Sequence, residues 1–495
     1  MKKHIGKRSV SLALALAMVI LSSAACGSES SGDTKDTTIA DGTTSAAETE
    51  ETKEIAEIPD VKYDGYEFRI LGVDQSTMLQ ANEIAVESET GESLNDAVYN
   101  RNRMVEEKLG IKITFIPETG DNIILSIGKS VLAGDDNYDA AIDHTNHIAS
   151  GITNQFLLPI TEIPYINTDK SWWNKGLIES SAVNGKPYFL MGDISYSWKN
   201  ATWVLCFNKR LYEEYNLEEP YAMVRDGKWT LDKLESHCRD ITKDLNGDSK
   251  LDKDDQWGLL SSNTAGIGLV TSTGITTIGT AKDGSLEYLL ENERNINVLG
   301  AIRKFITNND LQLRAEDITG SSNIWTDIIN IFRDGRALYR ISVLGDVVGL
   351  RDMKDDFGIL PLPKYDEEQD SYYTTVQAWN IGAYIIPASA SNPERTGAII
   401  EYMGSLSKDT ITKAYYDVTL NGKVARDDES SEMLDIIFNS AMTTDIGLAF
   451  NIGDITNTLK SMINSDTDNI ASTLASTKES TIAEIGQFEE NASAK

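Results

Sequence analysis

The chain has 495 residues, with 45 Lys and Arg against 77 Asp and Glu, and a formal net charge of −32. Such an acidic excess excludes nucleic acid and an electrostatically bound membrane surface as partners, and suits a neutral or cationic ligand. With Cys26, Cys206 and Cys238 as its cysteines, the chain has no disulfide framework.

Met1 to Cys26 reads as an export signal. Lys2, Lys3, Lys7 and Arg8 precede a short apolar run, Val10 to Leu21, which is too short to span a bilayer. Ser23-Ala24-Ala25-Cys26 then looks like a bacterial lipobox, although Ser23 stands where Leu is commoner. The alternative is an ordinary cleaved signal. The expectation is a signal peptide over residues 1–25, diacylation of Cys26, and a protein lipid-anchored on the extracellular face of the cytoplasmic membrane. Residues 26–60 are Ser, Thr, Ala, Gly, Asp and Glu with almost no large apolar side chains. Such a segment cannot offset its ordering entropy and reads as a disordered acidic tether.

The remainder is long enough for two lobes. Tyr66, Phe68 and Ile70 alternate with Glu67 and Arg69 as a strand. Ser93 is placed as a helix cap with Asp96 three residues on, and Gly110 stops that helix. Ile111, Ile113 and Phe115 predict a second strand, Ile123 to Leu132 a helix, and Tyr138 to Ile142 a buried strand. Strand–helix alternation implies a parallel sheet with ligands beyond the carboxyl ends of its strands. That rule points at Asp74, and at Asp143, His144 and Asn146. His144 and His147 with Asp143 also admit a transition-metal reading, but no third ligand is evident.

The chain is expected to cross to a second lobe near Tyr196 to Thr202. Trp203 to Phe207 reads as a strand, and Trp229 to Lys243 as a helix whose face carries Leu231, Leu234, Cys238 and Ile241. Cys206 and Cys238 are read as buried free thiols, with a bridge between them as the alternative. Asp244, Asn246, Asp248, Asp252 and Asp255 then occupy positions 1, 3, 5, 9 and 12 of a calcium-loop pattern. Lys250 at position 7 supplies a backbone carbonyl. Two features depart from the pattern: Ser249 stands at position 6, where Gly is usual, and position 12 is Asp rather than Glu. The expectation is a structural Ca2+, and the alternative is a solvated acidic turn. Trp257 to Leu260 begins another strand, and its loop, Ser261 to Thr264, is expected to face the cleft with Ser262. Asn295 to Asn308, Ile324 to Arg333, Ser431 to Ser440 and Ile455 to Gly486 read as helices, and Phe357 to Tyr365 as a strand and turn.

Several of these stretches carry a resemblance. Phe207-Asn208-Lys209-Arg210-Leu211, Asp226-Gly227-Lys228-Trp229-Thr230-Leu231 and the acidic loop ending in Trp257-Gly258-Leu259 are three of them. Gly185-Lys186-Pro187-Tyr188-Phe189, Phe332 to Tyr339 and Ile385-Ile386-Pro387 with Asn392-Pro393-Glu394-Arg395 are the others. Together they resemble the extracellular solute-binding proteins of ABC importers, family 1 type, distantly of the maltodextrin-binding kind, over Tyr63 to Phe488. The resemblance implies an α/β, two-lobe periplasmic-binding-protein-like fold of type II, each lobe a mainly parallel sheet flanked by helices, with hinge crossovers. It implies that the chain returns to lobe one after Tyr339 and crosses again at Val376 to Ile381. Lobe one is therefore expected over 61–197 plus 341–376, and lobe two over 198–340 plus 377–495.

It further implies a monomeric, non-enzymatic protein that captures a carbohydrate in its cleft and delivers it to an ABC permease. Aromatic faces hold sugars against C–H surfaces, and planar polar groups satisfy the hydroxyls. Among Trp198, Trp203, Tyr372, Tyr373 and Trp379, each with core packing as its alternative, Trp379 stands out because Asn380 lies beside it at a crossing. The expected ligand set is Asp74, Asp143, His144, Asn146, Trp198, Ser262, Tyr373, Trp379 and Asn380. No Gly-x-Ser-x-Gly, His-Glu-x-x-His or Walker motif is present. The alternatives are an exported polysaccharide-active enzyme and a peptide-binding or sensory lipoprotein.

Overall fold

The structure is a computed structural model that describes residues 54–73, 81–119, 123–378, 381–420, 427–442 and 445–493. The first sheet starts with β1 (Tyr66–Val73), whose inward side chains Phe68 and Ile70 are fully buried. Helix α1 (Ser93–Leu109) follows and ends at Gly110, which adopts φ 63°. Only a residue tolerant of the left-handed region closes a helix that way without strain. Ser93 is the first residue of α1 rather than its cap. Asp96 instead accepts the backbone N–H groups of Thr90 and Gly91, so the carboxylate ties down the incoming loop. Strand β2 (Ile111–Glu118), helix α2 (Ile123–Ala133) and strand β3 (Ala140–Asp143) complete this run, and α3 (Thr145–Thr153) leaves it.

The second sheet uses β4 (Trp203–Asn208), then α4 (Leu231–Cys238), β5 (Trp257–Ser261), α5 (Glu293–Ile306), β6 (Gln312–Arg314), α6 (Ile324–Arg333), β7 (Ala337–Val343), the short α7 (Leu344–Val347) and β8 (Phe357–Leu360). Along β4 the alternation separates two cores. Leu205 and Phe207 join the large apolar cluster, while Val204 and Cys206 join a second one with Trp257, Leu260, Phe332 and Phe357. A sheet buried on both faces reads as continuous apolar sequence, which is why Trp203 to Phe207 shows no polar alternation. Cys206 and Cys238 are both free and buried. Burial pushes the Cys206 thiol up to about 12 and raises Cys238 as well. Helix α4 is shorter than expected: Arg239 is extended and Asp240 takes φ 63°, which ends the helix at Cys238.

Strand β9 (Ala383–Ile385) returns to the first sheet, followed by α8 (Pro393–Ser407), α9 (Lys413–Leu420), α10 (Asp428–Asn439), α11 (Ile446–Phe450), α12 (Ile455–Ile463) and α13 (Ile470–Ser493). The expected helix over Ile455 to Gly486 is thus two, broken where the side chain of Asn464 donates to Lys460 O ahead of a polar run to Asn469.

The four-stranded sheet has the order β9-β3-β1-β2, and the five-stranded sheet β8-β4-β7-β5-β6. In the first, β1 pairs parallel with β2 and β3, and β9 is antiparallel to β3. In the second, β5 pairs parallel with β6 and β7, while β4 runs antiparallel to β7 and β8. This is the two-lobe α/β architecture, with the second sheet half antiparallel. The pairings correct the lobe boundaries. Phe357–Leu360 sits beside β4 in the second sheet, so 341–376 does not return to lobe one. Ala383–Ile385 sits beside β3 in the first sheet, so 377–495 does not lie wholly in lobe two. Both strands are short and wholly apolar, and such sequence does not say which sheet will take them.

The crossings are paired with each other. Thr202 and Val376 form an antiparallel bridge, flanked by Gln377 N–H donating to Ala201 O at 3.0 Å and Trp203 N–H donating to Thr375 O at 3.3 Å. Beyond α8, α9 packs on α1, whereas α10 packs on β8. Among the described residues no helix is long and apolar enough to cross a membrane.

Candidate functional site

The carboxyl ends of β5 and β7 and the start of β4 lie on one edge of the second sheet. The register shows this, since Trp203 faces Val343 and Leu260 is level with Arg340. A cavity of about 390 Å³ opens at that edge. This is where ligands sit in such sheets, and the volume is in the range of small-molecule sites.

Its walls come from several elements. Trp203 and the loop residues Ser262 and Thr264 form the floor near the crossing, and Gln377 enters from the crossing itself. Helix α6 supplies Ile328 and Trp325. The helix is capped by Asn323, whose side chain accepts from the N–H groups of Trp325 and Thr326. It buries Ile328, Ile331 and Phe332 against the sheet; Trp325, in the first turn, continues the Ile328–Phe332 stripe and is 52% exposed where it lines the cavity. Strand β7 supplies Arg340 and Ser342, and α7 supplies Asp346.

Arg340 is 4% exposed. Its Nη2 donates to Asp346 Oδ2 at 2.8 Å, and the Ser342 hydroxyl donates to the same oxygen at 3.0 Å. Arg340 Nη1 is buried and makes no hydrogen bond. An unmet donor on a buried cation is costly, so this atom marks where a polar partner is wanted.

The first lobe approaches the same crossing. Thr145 Oγ1 donates to Ala378 O at 3.0 Å. Ala378 lines a narrow extension of about 20 Å³ that shares Trp203, Thr264 and Gln377 with the cavity. Next to Thr145, Asp143 is fully buried. Its Oδ1 accepts from His144 N–H at 2.7 Å and lies 3.0 Å from His147 Nδ1. Asp143 Oδ2 and Asn146 Oδ1 are buried without a hydrogen bond. The His144 and His147 rings pack edge to face at 5.4 Å.

Of the sequence-derived residues, the structure brings Ser262 into the cavity and sets Asp143, His144 and Asn146 beside the crossing that borders it. Trp198 is elsewhere. It is 5% exposed, donates Nε1–H to Gly192 O at 2.9 Å and packs against Phe438. It borders a separate, more open groove of about 640 Å³ with Trp173, Lys199 and Tyr416. Tyr373 is half-buried, donates its hydroxyl to Asp370 Oδ1 and lies against Gly274, away from the cavity. Asp74, Trp379 and Asn380 lie outside the described residues, as does Cys26.

Sequence reasoning missed Trp325, Arg340, Asp346 and Gln377. The signals were present: a cation in the middle of an apolar strand, and a Trp in the first turn of an amphipathic helix at the head of its apolar stripe.

The acidic loop lies at the other end of β5. Asp244 accepts from Gly247 and Ser249 N–H, Asn246 from Asp248, Asp248 from Lys250 and Asp252 from Asp254. Asp255 is fully buried and accepts from Leu245 and Asp252 N–H. Ser249 takes φ 63°, so it reproduces the left-handed turn normally assigned to Gly at position 6. The donor types suit a hard cation, with the Lys250 carbonyl at position 7. Here the carboxylates serve backbone N–H groups, and among the described residues no three Asp, Glu, His or Cys side chains converge as a metal cage.

Residues 85–406 match the family model described as bacterial extracellular solute-binding protein. No curated protein matches by sequence. Solved structures share the fold at low identity. An ABC substrate-binding protein of Listeria monocytogenes, in complex with cycloalternan, is 13% identical with TM-score 0.54, over 86% of this chain and 100% of its own. A cyclo/maltodextrin-binding protein complexed with maltotetraose is 14% identical with TM-score 0.57, over 85% and 97%. A maltose-bound protein of T. maritima is 14% identical with TM-score 0.51, over 85% and 100%.

Proposed function

We propose, from the premise that this chain belongs to the bacterial extracellular solute-binding protein family, that it captures a carbohydrate and hands it to an ABC permease. The observation that carries this reading is the strand-end cavity beside the paired crossings, with an exposed Trp on one wall and hydroxyl, amide and guanidinium groups on the others. An aromatic face and convergent hydrogen-bonding groups are what a sugar ring requires. The sugar complexes among structures of the same fold support it.

Binding rather than hydrolysis is favoured by the family to which the chain belongs, whose members are described as solute-binding proteins. In the proposed working state the mature protein is a monomer, held to the membrane through lipid on Cys26, with the acidic segment to residue 53 as its leash. Residues 54–60 do not belong to that leash: Ala56 is buried in the apolar core, the Ser171 hydroxyl donates to Glu54 and the Lys170 ammonium to Glu57. The loop over Asp244 to Asp255 would hold a structural Ca2+ by its side-chain oxygens and the Lys250 carbonyl. Bound there, the cation would neutralise four crowded carboxylates. Asp74, Asp143, His144, Asn146, Trp379 and Asn380 are proposed to face the ligand from the first lobe and the crossing.

A thermal-shift screen of the mature protein against neutral and acidic oligosaccharides tests the reading, because a ligand specific to the native state raises stability by mass action. The expected result is a saturable rise with one oligosaccharide and no change in that oligosaccharide on prolonged incubation. A chemically converted oligosaccharide would mean an enzyme instead.

A further inference from the structure

Arg340 stands opposite Cys206 in the β4–β7 register and beside Leu260 of β5. Both neighbours belong to an apolar core. A guanidinium rising from such surroundings requires a counter-charge, since a buried unpaired cation is strongly disfavoured. Asp346 provides it through the 2.8 Å bond to Nη2. The Arg340 side chain is 5% exposed and that of Asp346 45%. The cation is therefore buried, its partner remains open to the cavity, and Nη1 is still unsatisfied.

We propose that Arg340 and Asp346 form a charge-compensated donor–acceptor pair that reads adjacent hydroxyls of a neutral sugar and disfavours acidic ones. The proposal rests on the carbohydrate reading and names the class within it. A hydroxyl group both accepts and donates. One hydroxyl accepts from Nη1 of Arg340, and the same or the next one donates to the Asp346 carboxylate. Ser342 holds that carboxylate in place through its own hydrogen bond at 3.0 Å.

The charge balance gives the selectivity. Arg340 and Asp346 are the two charged groups among the described lining residues, and they cancel. A uronate or sugar phosphate brought to Nη1 finds a cation already compensated, with a carboxylate on the other arm of the same guanidinium. No second cation is found among the described lining residues to offset that repulsion. Like charges brought together in a partly dehydrated site oppose binding more than they do in water. Ser262, Thr264 and Gln377 are uncharged and serve hydroxyls equally well.

The test is calorimetric titration of the mature protein with neutral gluco-, xylo- and manno-oligosaccharides and with oligogalacturonate and oligomannuronate. The tightest binder is expected to be neutral. Asp346→Asn should weaken it by roughly tenfold, the scale of a hydrogen bond to a charged group, and should narrow the gap to the uronates, because Arg340 is then uncompensated. Arg340→Met should weaken the same sugar by at least as much. Because Arg340 is buried, its variant is compared only if its melting transition remains cooperative; Asp346→Asn, at a more open position, carries the test otherwise. A uronate that binds the wild type as tightly as any neutral sugar overturns the proposal. So does a ratio of neutral to acidic affinity that Asp346→Asn leaves unchanged. If neither class binds, the carbohydrate reading falls and this one with it. If a neutral sugar binds but both variants keep its affinity, only the pair's role is lost.

Discussion

Thr202 and Val376 face each other in an antiparallel bridge that ties the first crossing between the sheets to the second. The two segments therefore bend as one ribbon rather than as independent linkers, and Gln377 reaches the cavity from that ribbon. Hinges that absorb backbone rotation at a few residues permit lobe closure around a ligand.

Gln377→Pro deletes the N–H that donates to Ala201 O while Gln377→Ala keeps it. The proline variant should lose roughly 1–3 kcal/mol of stability from the orphaned carbonyl and the restricted backbone. It should also lose ligand-induced compaction in solution scattering. The alanine variant should keep its melting temperature and compaction, and lose affinity only. Equal behaviour of the two variants would show that the ribbon is not the hinge.

Glu83 gives a pH prediction. It is 1% exposed and accepts hydrogen bonds from the Ser195 hydroxyl and Tyr196 N–H just before the first crossing. Burial pushes its carboxyl from 4.5 up to about 7. The folded state thus holds this proton more tightly than the unfolded chain. Stability from this group is fully present below pH 4.5 and is lost as pH rises through about 7. Glu401, also pushed by burial to about 7, acts in the same direction. His237 opposes both: burial lowers it from 6.5 to about 4, so its contribution grows as pH rises across that window. The readout is therefore the difference between proteins. Glu83→Gln should reduce the loss of stability between pH 5 and 7 by about 1–3 kcal/mol, since each tenfold change in proton affinity is worth roughly 1.4 kcal/mol. Parallel curves of stability against pH for wild type and variant would refute it.

Much of the fold was legible because local rules and the final structure agree. Phe68 and Ile70 alternate in sequence and in burial, and the Ile324–Arg333 helix lies where its apolar spacing puts it. Asn392 caps α8 by accepting from Arg395 N–H, as its position before Pro393 suggests. What was not legible depends on distant partners. Phe357–Leu360 is a buried strand in either sheet, and only its pairing with β4 decides between them. Arg340 reads as an anomaly until Asp346 is brought beside it. Trp198 and Trp325 are alike in sequence, yet packing buries one and exposes the other.

The acidic loop is expected to respond to calcium. Chelator should lower the melting temperature of the mature protein and added calcium should restore it, with Asp248→Ala insensitive to both. The loop lies at the Trp257 end of β5 and the cavity at the Ser261 end, so sugar affinity at saturating calcium should be unchanged in Asp248→Ala. A wild-type melting curve indifferent to chelator and calcium would rule the site out.

The anchor prediction concerns Cys26. Cys26→Ser should release the protein into the medium or leave an unprocessed precursor, as seen by fractionation and mass. Retention of the variant with the membrane in processed form would exclude lipidation at that thiol.

Trp325 and Trp198 should fail in opposite ways when changed to Ala. Trp325 is half-exposed at the cavity wall, so removing it creates little void and should leave the melting temperature nearly unchanged. It removes instead the apolar face offered to a sugar ring, a loss on the order of 1–3 kcal/mol by the transfer scale for large apolar side chains, or roughly ten- to a hundredfold in affinity. Trp379→Ala, next in sequence to the cavity-bordering Ala378, is proposed to do the same from the crossing. Trp198 is buried against Phe438 and under the ammonium of Lys199, 4.1 Å from its ring. Trp198→Ala should therefore cost about 3–5 kcal/mol of stability, as large-to-small core changes do, and the surviving folded fraction should bind normally. Calorimetric titration paired with denaturant unfolding separates the two. If Trp325→Ala binds as wild type while Trp198→Ala folds normally and loses affinity, the ligand occupies the other groove, and the strand-end cavity is not the site.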